Sequence, residues 1–472
     1  MKTRIILGMS LFLLCTTQGT TPKYSRSFLF TRPVQQNLAL KQALWHNLLY
    51  NKEKKVALEV AGFFLKTTES KRISQYFLPP NRDALLVSST ALNRDVLPKY
   101  LSLPDNFSGY LALSPEQTQG GFLVEGRYGL GDLLDFGEFV GVEIFKNWFF
   151  YSSIAFVDVK NNLNLTQSLV QNPGPSSSTV YDIITAFNNP TWGYDKINGA
   201  QHSKGVSEIR AGLATTVIGT ERVHLGSYSL LSIPTQTSLK NEYLFNSEYG
   251  YGHVGVVWGV TFQVPFNKNT HSYLLAWTMN FESIFLIRNH QYRTFDLNLK
   301  PWSRFILMRK KDQAQDVLIP GVNVLTHRVR VSPHAITDFV TGLRLSKGAL
   351  EAEVGYGLWA HGGERCKITG DSWIPDYGLA GSLPNTSAST STVANQGPND
   401  PVFVTIIEND IDLHSGEMSQ NFVNKIYGAI GFKNLGEGIN TDGGIGGFFE
   451  LPHNRTNAFR QWGLWVTVGV AF

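Results

Sequence analysis

The last eleven residues, Trp462 to Phe472, constrain the fold of this chain more than any other stretch. Apolar side chains stand at every second position, and small or mildly polar residues fill the positions between them, in the order WGLWVTVGVAF. Strict alternation places the two sets on opposite faces of a β-strand. This pattern is typical of a barrel wall in a membrane, where lipid-facing and lumen-facing residues alternate. The alternative is an edge strand of a soluble β-sandwich.

The start of the chain predicts export. Met1 to Arg4 form a positive stretch, Ile5 to Cys15 form an apolar one, and Thr17 to Gly19 fit a cleavage site, so we predict a signal peptide at residues 1–19. After it, no apolar run reaches the roughly 18 residues that a transmembrane helix needs. An exported chain rich in alternating segments can then cross a bilayer only as a closed barrel, because hydrocarbon leaves open sheet edges unsatisfied.

Composition agrees with a membrane barrel but does not decide against a secreted sandwich. Charged residues make up 17% of the 472 residues, aromatic residues make up 12%, and there are 44 glycines. Typical soluble domains are about 25% charged. The formal charge of +4 falls further when Lys2 and Arg4 leave with the signal peptide, so no nucleic-acid partner is implied. Cys366 then stands alone, which excludes an intramolecular disulfide. We expect it to be a loop thiol.

Alternating segments predict an all-β fold, a transmembrane antiparallel barrel of 14 strands counted from about Gln119. The predicted strands run from about 119 and over 139–145, 148–158, 206–217, 221–231, 252–266, 273–282, 291–307, 322–331, 335–346, 347–361, 421–433, 439–451 and 459–472. Long connections at 159–205, 232–249 and 362–420 all fall on one side, as external loops of outer-membrane barrels do. The two longest of these, 159–205 and 362–420, are predicted to be long external loops. The connection at 308–321 is long but falls on the short side.

Residues 20–106 are predicted to form an N-terminal segment that acts like a plug in the lumen, followed by the barrel at 107–472. In the alternative, Val56 to Lys66 and Phe107 to Leu113 are two further wall strands, which raises the count to 16.

Parity assigns a set of charged residues to the lumen. These pore-lining candidates are Glu125, Arg127, Glu143, Glu208, Arg210, Arg222, His224, Glu282, Arg328, Arg330, Arg344, Glu351, Glu353 and Glu450. With six arginines and seven glutamates the set is nearly balanced, which argues against a strongly ion-selective pore. Arg328, Arg330, Arg344, Glu351 and Glu353 fall on consecutive predicted strands and form either a constriction that orients solutes or a salt-bridge lattice that braces the wall.

Enzymatic signals are weak. Glu408, Asp410, Asp412 and His414 alternate in the second long loop, where they could bind Ca²⁺ or activate a water molecule, or form a solvated acidic strand. The sequence has no P-loop, dinucleotide-binding glycine motif, HExxH or zinc-type CxxC. We therefore expect no enzyme, no cofactor and no metal.

A closing strand that ends in Phe472 resembles the C-terminal signature that the barrel-assembly machinery reads in bacterial outer-membrane β-barrels. With the signal peptide, strand count and loop asymmetry, the chain resembles outer-membrane channels and transporters, and most of all the long-chain fatty-acid transporter type, a 14-stranded barrel with a lumen plug. The resemblance implies an outer-membrane location and three partners, namely outer-membrane lipid, the assembly machinery and small solutes. It implies a channel or facilitator for small solutes, hydrophobic ones among the candidates. The alternative is a surface barrel that acts through its long loops, in adhesion or as a structural protein.

Overall fold

The computed structural model describes residues 25–42, 45–50, 54–69, 71–130, 147–171, 180, 182–197, 199–219, 223–236, 241–267, 273–314, 316–369, 373, 376–381, 402–436, 438–454 and 456–472. Twelve antiparallel strands form a closed ring. In chain order they are β1 (Val56–Glu69), β2 (Glu116–Gly129), β3 (Trp148–Asn162), β4 (Ala200–Gly219), β5 (His224–Pro234), β6 (Gly255–Pro265), β7 (Leu274–Leu286), β8 (Ile336–Lys347), β9 (Leu350–His361), β10 (Asn421–Leu435), β11 (Asn440–Pro452) and β12 (Arg460–Ala471).

The ring closes where the first strand meets the last. Strand β1 pairs with β12 from Ala57 opposite Ala471 to Lys66 opposite Trp462. Just beyond this ladder, Val56 and Phe472 exchange two backbone hydrogen bonds of 2.9 Å. Closure leaves no unpaired sheet edge, which is the condition for a sheet to span hydrocarbon.

Alternation along each strand separates an apolar exterior from a polar interior. On β12, Leu464, Val466 and Val468 point outwards and are exposed, while Trp465 and Thr467 point inwards and are buried. The other wall strands repeat this arrangement, so the chain has the architecture of an outer-membrane β-barrel, as the sequence predicts.

The predicted count of 14 wall strands is wrong. Segments 291–307 and 322–331 contain the strands Asn289–Thr294 and Thr326–Pro333, which pair with each other outside the ring. These strands have 6 and 8 residues, whereas the wall strands have 11 to 20. Alternation cannot distinguish the two kinds of strand, but a span needs about 9–11 residues. The ring instead includes β1, which the count of 14 strands leaves out. The predicted strand 139–145 lies outside the described residues, and β2 pairs directly with β3.

The connections differ sharply between the two ends of the barrel, which we call the short-turn end and the long-loop end. Short connections such as 348–349 and 436–439 lie at the first, and the chain also ends there. All connections of 20 residues or more lie at the second, where only 453–459 is short, while the 18-residue connection 130–147 is the long exception at the first. The connection at 308–321 ceases to be an exception, because it belongs to one long excursion between β7 and β8, residues 287–335.

The long loops fold into a cap with its own sheets and short helices. Its sheets are formed by Ala84–Ser88, Ser108–Ala112 and Thr166–Gln171, by Leu318–Pro320, Leu307–Lys310, Tyr377–Gly381 and Val402–Thr405, by Asn289–Thr294, Thr326–Pro333 and Glu364–Lys367, and by Asp296–Leu297 with Ile411–Asp412. Its α-helical turns are Ser74–Phe77, Ile183–Ala186 and Gly321–Val324, and its 3₁₀ turns are Pro98–Leu101, Ser303–Phe305, Glu408–Asp410 and Leu413–Gly416. No helix in the described part of the chain has the length and hydropathy to cross a bilayer.

Residues 25–50, which we call the lumen segment, run inside the ring. The segment contains the 3₁₀ turn Val34–Gln36, the helix Leu38–Gln42 and the π-helical turn His46–Tyr50. It begins in the cap, where the Ser27 backbone N–H donates to the Ser415 carbonyl at 2.9 Å. It leaves at the short-turn end and continues into β1. The described residues between 25 and 106 are therefore divided among the lumen, the wall and the cap.

Candidate site in the barrel lumen

Most of the predicted pore-lining residues face the lumen and are buried there. These are Glu125, Arg127, Glu208, Arg210, His224, Glu282, Arg344, Glu351, Glu353 and Glu450. The prediction is wrong for Arg328 and Arg330. They lie on the strand Thr326–Pro333, which belongs to a sheet of the cap and not to the wall. Arg222 and Glu143 lie outside the described residues.

Lys41 of the lumen segment lies between two carboxylates that come from strands far apart in the ring. Its Nζ is 3.3 Å from Glu125 Oε1 on β2 and 3.7 Å from Glu282 Oε2 on β7. The Tyr151 hydroxyl donates to Glu125 at 2.6 Å, and the Tyr228 hydroxyl donates to Glu282 at 2.9 Å. The ammonium group therefore neutralises two buried charges that would otherwise be costly.

Arg210 extends this network along the wall. Its Nη1 is 2.8 Å from Glu282 Oε1, and its Nε donates to Glu208 Oε1 at 2.7 Å. The Gln35 side chain of the lumen segment donates to the Glu208 carbonyl at 2.9 Å. The segment thus contacts the wall through side chains.

Arg344 and Glu353 form the part of the predicted arginine–glutamate patch that the structure brings together. Arg344 Nε lies 2.8 Å from Glu353 Oε2, and Arg344 Nη2 donates to the Gln42 carbonyl at 2.7 Å. The Gln42 amide donates to Glu353 at 2.8 Å and to Thr278 at 2.6 Å. The pair links β8 to β9 and contacts the lumen segment through Gln42.

A third group of contacts lies nearer the cap. Arg32 Nη2 is 2.6 Å from Glu450 Oε1, and Lys425 Nζ is 3.4 Å from the same atom. Lys425 also donates to the Asn37 side chain at 2.7 Å, and the Leu38 backbone N–H donates to Asp338 at 2.8 Å. Asn37 and Leu38 thus bind a basic and an acidic residue of the wall, and these two contacts hold the start of the helix Leu38–Gln42 in place.

The wall is more acidic than the sequence predicted. Among the described residues, nine inward carboxylates are accompanied by five inward basic groups. The carboxylates are Glu59, Glu125, Glu208, Glu282, Asp338, Glu351, Glu353, Asp442 and Glu450, and the basic groups are Arg127, Arg210, Arg344, Lys425 and Lys433. The balance disappears because Arg328 and Arg330 leave the set while Glu59, Asp338 and Asp442 join it. Parity along 335–346 and 439–451 could have found the last two.

The acidic stretch of the second long loop does not form a single site. Asp410 accepts the Ile407 backbone N–H at 2.9 Å, and His414 Nδ1 is 2.7 Å from Glu417. The described residues contain no group of three or more His, Cys, Asp or Glu side chains that could hold a metal.

Close to this stretch, the cap buries a cluster around Arg304. Arg304 lies 2.8 Å from Asp195 and 2.7 Å from Asp296. Burial raises the pKa of Asp195 to about 7 against the opposing attraction of Arg304, and the charge of Asp296 raises it as well. Burial, together with Asp296, raises the pKa of Asp412 to about 6.

No protein-family model matches the chain, and no curated protein sequence matches it. Among solved structures it is similar to an outer membrane channel, COG4313, from Pseudomonas putida F1, with a TM-score of 0.40 and 8% identity over 90% of this chain and 98% of that one. It is also similar to a Pseudomonas aeruginosa FadL homologue, with a TM-score of 0.28 and 8% identity over 96% and 99%. A third is the Ralstonia pickettii toluene transporter TbuX, with a TM-score of 0.27 and 10% identity over 96% of each chain.

Proposed function

We propose that the chain is a channel in the bacterial outer membrane and that the lumen segment closes its path. The observation that carries this proposal is a closed barrel with an apolar exterior and a charged interior, filled by a segment that belongs to no wall strand. A charged interior is typical of barrels that enclose an aqueous path. The cap would then face outwards and the short turns would face the periplasm.

The way in which the segment is held supports its release. Among the described residues, no backbone–backbone hydrogen bond joins residues 28–50 to a wall strand. The segment is held by side-chain contacts such as those of Lys41, Gln42 and Arg32. The ring is complete without these contacts, because every wall strand already pairs with two neighbours.

The charge of the wall favours polar, cationic solutes over hydrophobic ones. The inward carboxylates outnumber the inward basic groups, and the segment adds two cations, Arg32 and Lys41, which pair with wall carboxylates. When the segment leaves, these carboxylates lose their partners and the path gains negative charge. A lumen lined by one sign of charge concentrates ions of the opposite sign.

Conductance in a planar bilayer tests the proposal. The full chain should be nearly silent, and a variant that lacks residues 25–50 should conduct steadily. The deletion stops before Val56 because a longer one removes β1 from the ring. Under a salt gradient, the reversal potential of the deleted variant should show cation selectivity. Steady conductance in the full chain would show that the segment does not close the path.

A cross-linked full chain provides the control. The Gln42 amide and the Thr278 hydroxyl are 2.6 Å apart, so a short bifunctional thiol reagent should link Gln42→Cys to Thr278→Cys and fix the segment to β7. The linked protein should remain silent at a mild urea concentration at which the unlinked one begins to conduct. Heat-modifiable migration on gels would show that each variant forms a barrel.

The cap supports a second candidate function, recognition at the cell surface. It contains a hydrophobic core drawn from several loops, including Phe107, Phe187, Trp302 and Ile406. A cap that served only to connect strands would not need such a core. Silence of both the full chain and the deleted variant, in correctly folded barrels, would favour this function over a channel.

A further inference from the structure

Two buried carboxylates in the short-turn half of the lumen have no partner. Glu59 on β1 and Asp442 on β11 are 4% and 2% exposed. Neither oxygen of Asp442, nor Oε2 of Glu59, has a hydrogen-bond partner among the described residues. An isolated buried carboxylate costs several kcal/mol unless something compensates its charge, so this pair requires an explanation.

The register brings the two side chains together. Both Glu59 and Asp442 are directly opposite Gly469 of β12, one from each side, and all three positions face inwards. Because neighbouring strands lie about 5 Å apart, the two Cα atoms are separated by roughly 10 Å, and the carboxylates can approach across the intervening glycine.

Gly469 provides the space for this approach. The Asp442 carboxylate lies over it so closely that a Cβ atom at this position would clash with the carboxylate oxygens. The Gly469 backbone does not donate a well-formed hydrogen bond to that carboxylate. Glu59 lies near enough to feel the repulsion of Asp442. Because Gly469 has no side chain, the carboxyl groups of Asp442 and Glu59 can approach each other above it.

The surrounding charges do not neutralise the pair. Glu125 repels Glu59 and Glu351 repels Asp442. Lys41 attracts Glu59, but its Nζ is bound between Glu125 and Glu282. No basic group among the described residues is therefore bound directly to either carboxylate of the pair.

One neutral oxygen on the same inward face also has no partner. Thr467 precedes Gly469 by two positions on β12. Its Oγ1 is buried and forms no hydrogen bond with any described residue. Ca²⁺ takes oxygen ligands in a flexible shell of 6–8 that water can complete.

We propose that Glu59 and Asp442, together with Thr467, form a binding site for a divalent cation of the Ca²⁺ type. The site joins β1, β12 and β11, so the bound cation ties the first strand to the last two across the closure of the ring. The turn His46–Tyr50 packs against the same three strands and covers the site from within the lumen. The proposal goes beyond a channel function and holds whether or not the lumen opens.

Terbium luminescence tests this site in the full-length protein folded in detergent. Tb³⁺ occupies Ca²⁺ sites and emits when a nearby indole is excited. Trp465 lies two positions before Thr467 on the same inward face and is 2% exposed. We expect saturable emission that Ca²⁺ displaces. The double variant Glu59→Gln with Asp442→Asn keeps the side-chain shapes and should bind at least tenfold more weakly.

Glu116→Gln is the matched control, because Glu116 pairs with Lys66 on the outer face of the wall and should not affect binding. Thermal unfolding gives a second measurement: Ca²⁺ should raise the Tm of the wild-type and control proteins relative to EDTA and should leave the double variant unchanged. Equal emission from the double variant, or a wild-type Tm that does not respond to Ca²⁺, would overturn the proposal. A double variant that is more stable than the wild type without Ca²⁺ dependence would show that the pair shares a proton instead.

Discussion

The barrel wall and the cap are both β-structures, but they order their side chains in opposite ways. On the wall strand β12, Val466 points outwards and is 54% exposed, while Thr467 points inwards and is buried. In the cap, the apolar side chains of Phe187 and Trp302 are buried. Leu92, which lies in a turn, is an exception because its apolar side chain is exposed. In the proposed membrane setting the solvent accounts for the arrangement, because the wall would face hydrocarbon and the cap would face water.

The difference predicts that equal substitutions should have unequal costs in the two regions. In a membrane, an apolar side chain on the wall exterior would be surrounded by lipid, which refills the space when the side chain is truncated. In the cap core the neighbours are fixed, so truncation leaves a cavity.

The largest effect is expected from Phe187→Ala. Phe187 packs against Trp192, Trp302 and Phe305 with ring centroids 5.5–5.8 Å apart. Removing it should cost the cap about 3–5 kcal/mol. The measurement is the rate of limited proteolysis in the cap, with heat-modifiable migration of the barrel as the readout for the wall.

Phe285→Ala is the matched substitution on the wall. Phe285 points outwards from β7 and is 55% exposed, so its loss should change neither readout appreciably. If both variants lost the same stability, the contrast between a refilled and a fixed environment would be wrong.

The sequence predicts the wall much better than the cap for the same reason. Long alternation over segments such as 252–266 and 459–472 identifies strands locally, since each wall strand has an exposed apolar face and a buried inward face. The strands Asn289–Thr294 and Thr326–Pro333 also alternate, so their own sequences do not distinguish them from wall strands. Their pairing in one sheet with Glu364–Lys367 shows that they belong to the cap. Pairing of this kind is not local and leaves no periodic signal.

The candidate site was predicted to a similar extent. Parity placed Glu125, Glu282 and Glu353 correctly, because it depends only on position along a strand. It could not identify Lys41 or Arg32, since the lumen segment has no strand periodicity and its partners are distant in sequence. Glu59 was overlooked because β1 was treated as part of residues 20–106, although Ala57, Glu59 and Ala61 alternate with apolar residues there.

A smaller effect is expected when charge is placed on the wall exterior. Val466 lies near the middle of β12, so Val466→Arg puts a guanidinium in hydrocarbon and should cost about 2–4 kcal/mol. Denaturant unfolding of the protein in lipid vesicles measures this cost. The control is Leu92→Arg, at a cap position that is 98% exposed, where we expect a change within about 0.5 kcal/mol. A similar loss in both variants would mean that the exterior at Val466 does not face lipid.

The last effect is graded with pH and separates the cap from the wall once more. Burial raises the pKa of Asp195 to about 7, so the folded cap holds a proton there that the unfolded chain releases near pH 4. The folded state binds more protons between these values, so the stability contributed by this group is fully present below about pH 4 and is lost as pH rises towards 7. The loss is at most about 1.4 kcal/mol for each pH unit.

Asp195→Asn removes this titration and should flatten the rise in cap proteolysis between pH 4 and pH 7, while the heat-modifiable migration of the barrel stays the same at each pH. Arg304 and Asp296 face Asp195 in the cluster, and Asn241 donates to it at 3.2 Å, so the variant keeps a polar partner at this position. An unchanged pH profile in the variant would assign the cap's pH dependence to another group, for which Asp412, with its pKa raised to about 6, is the next to test.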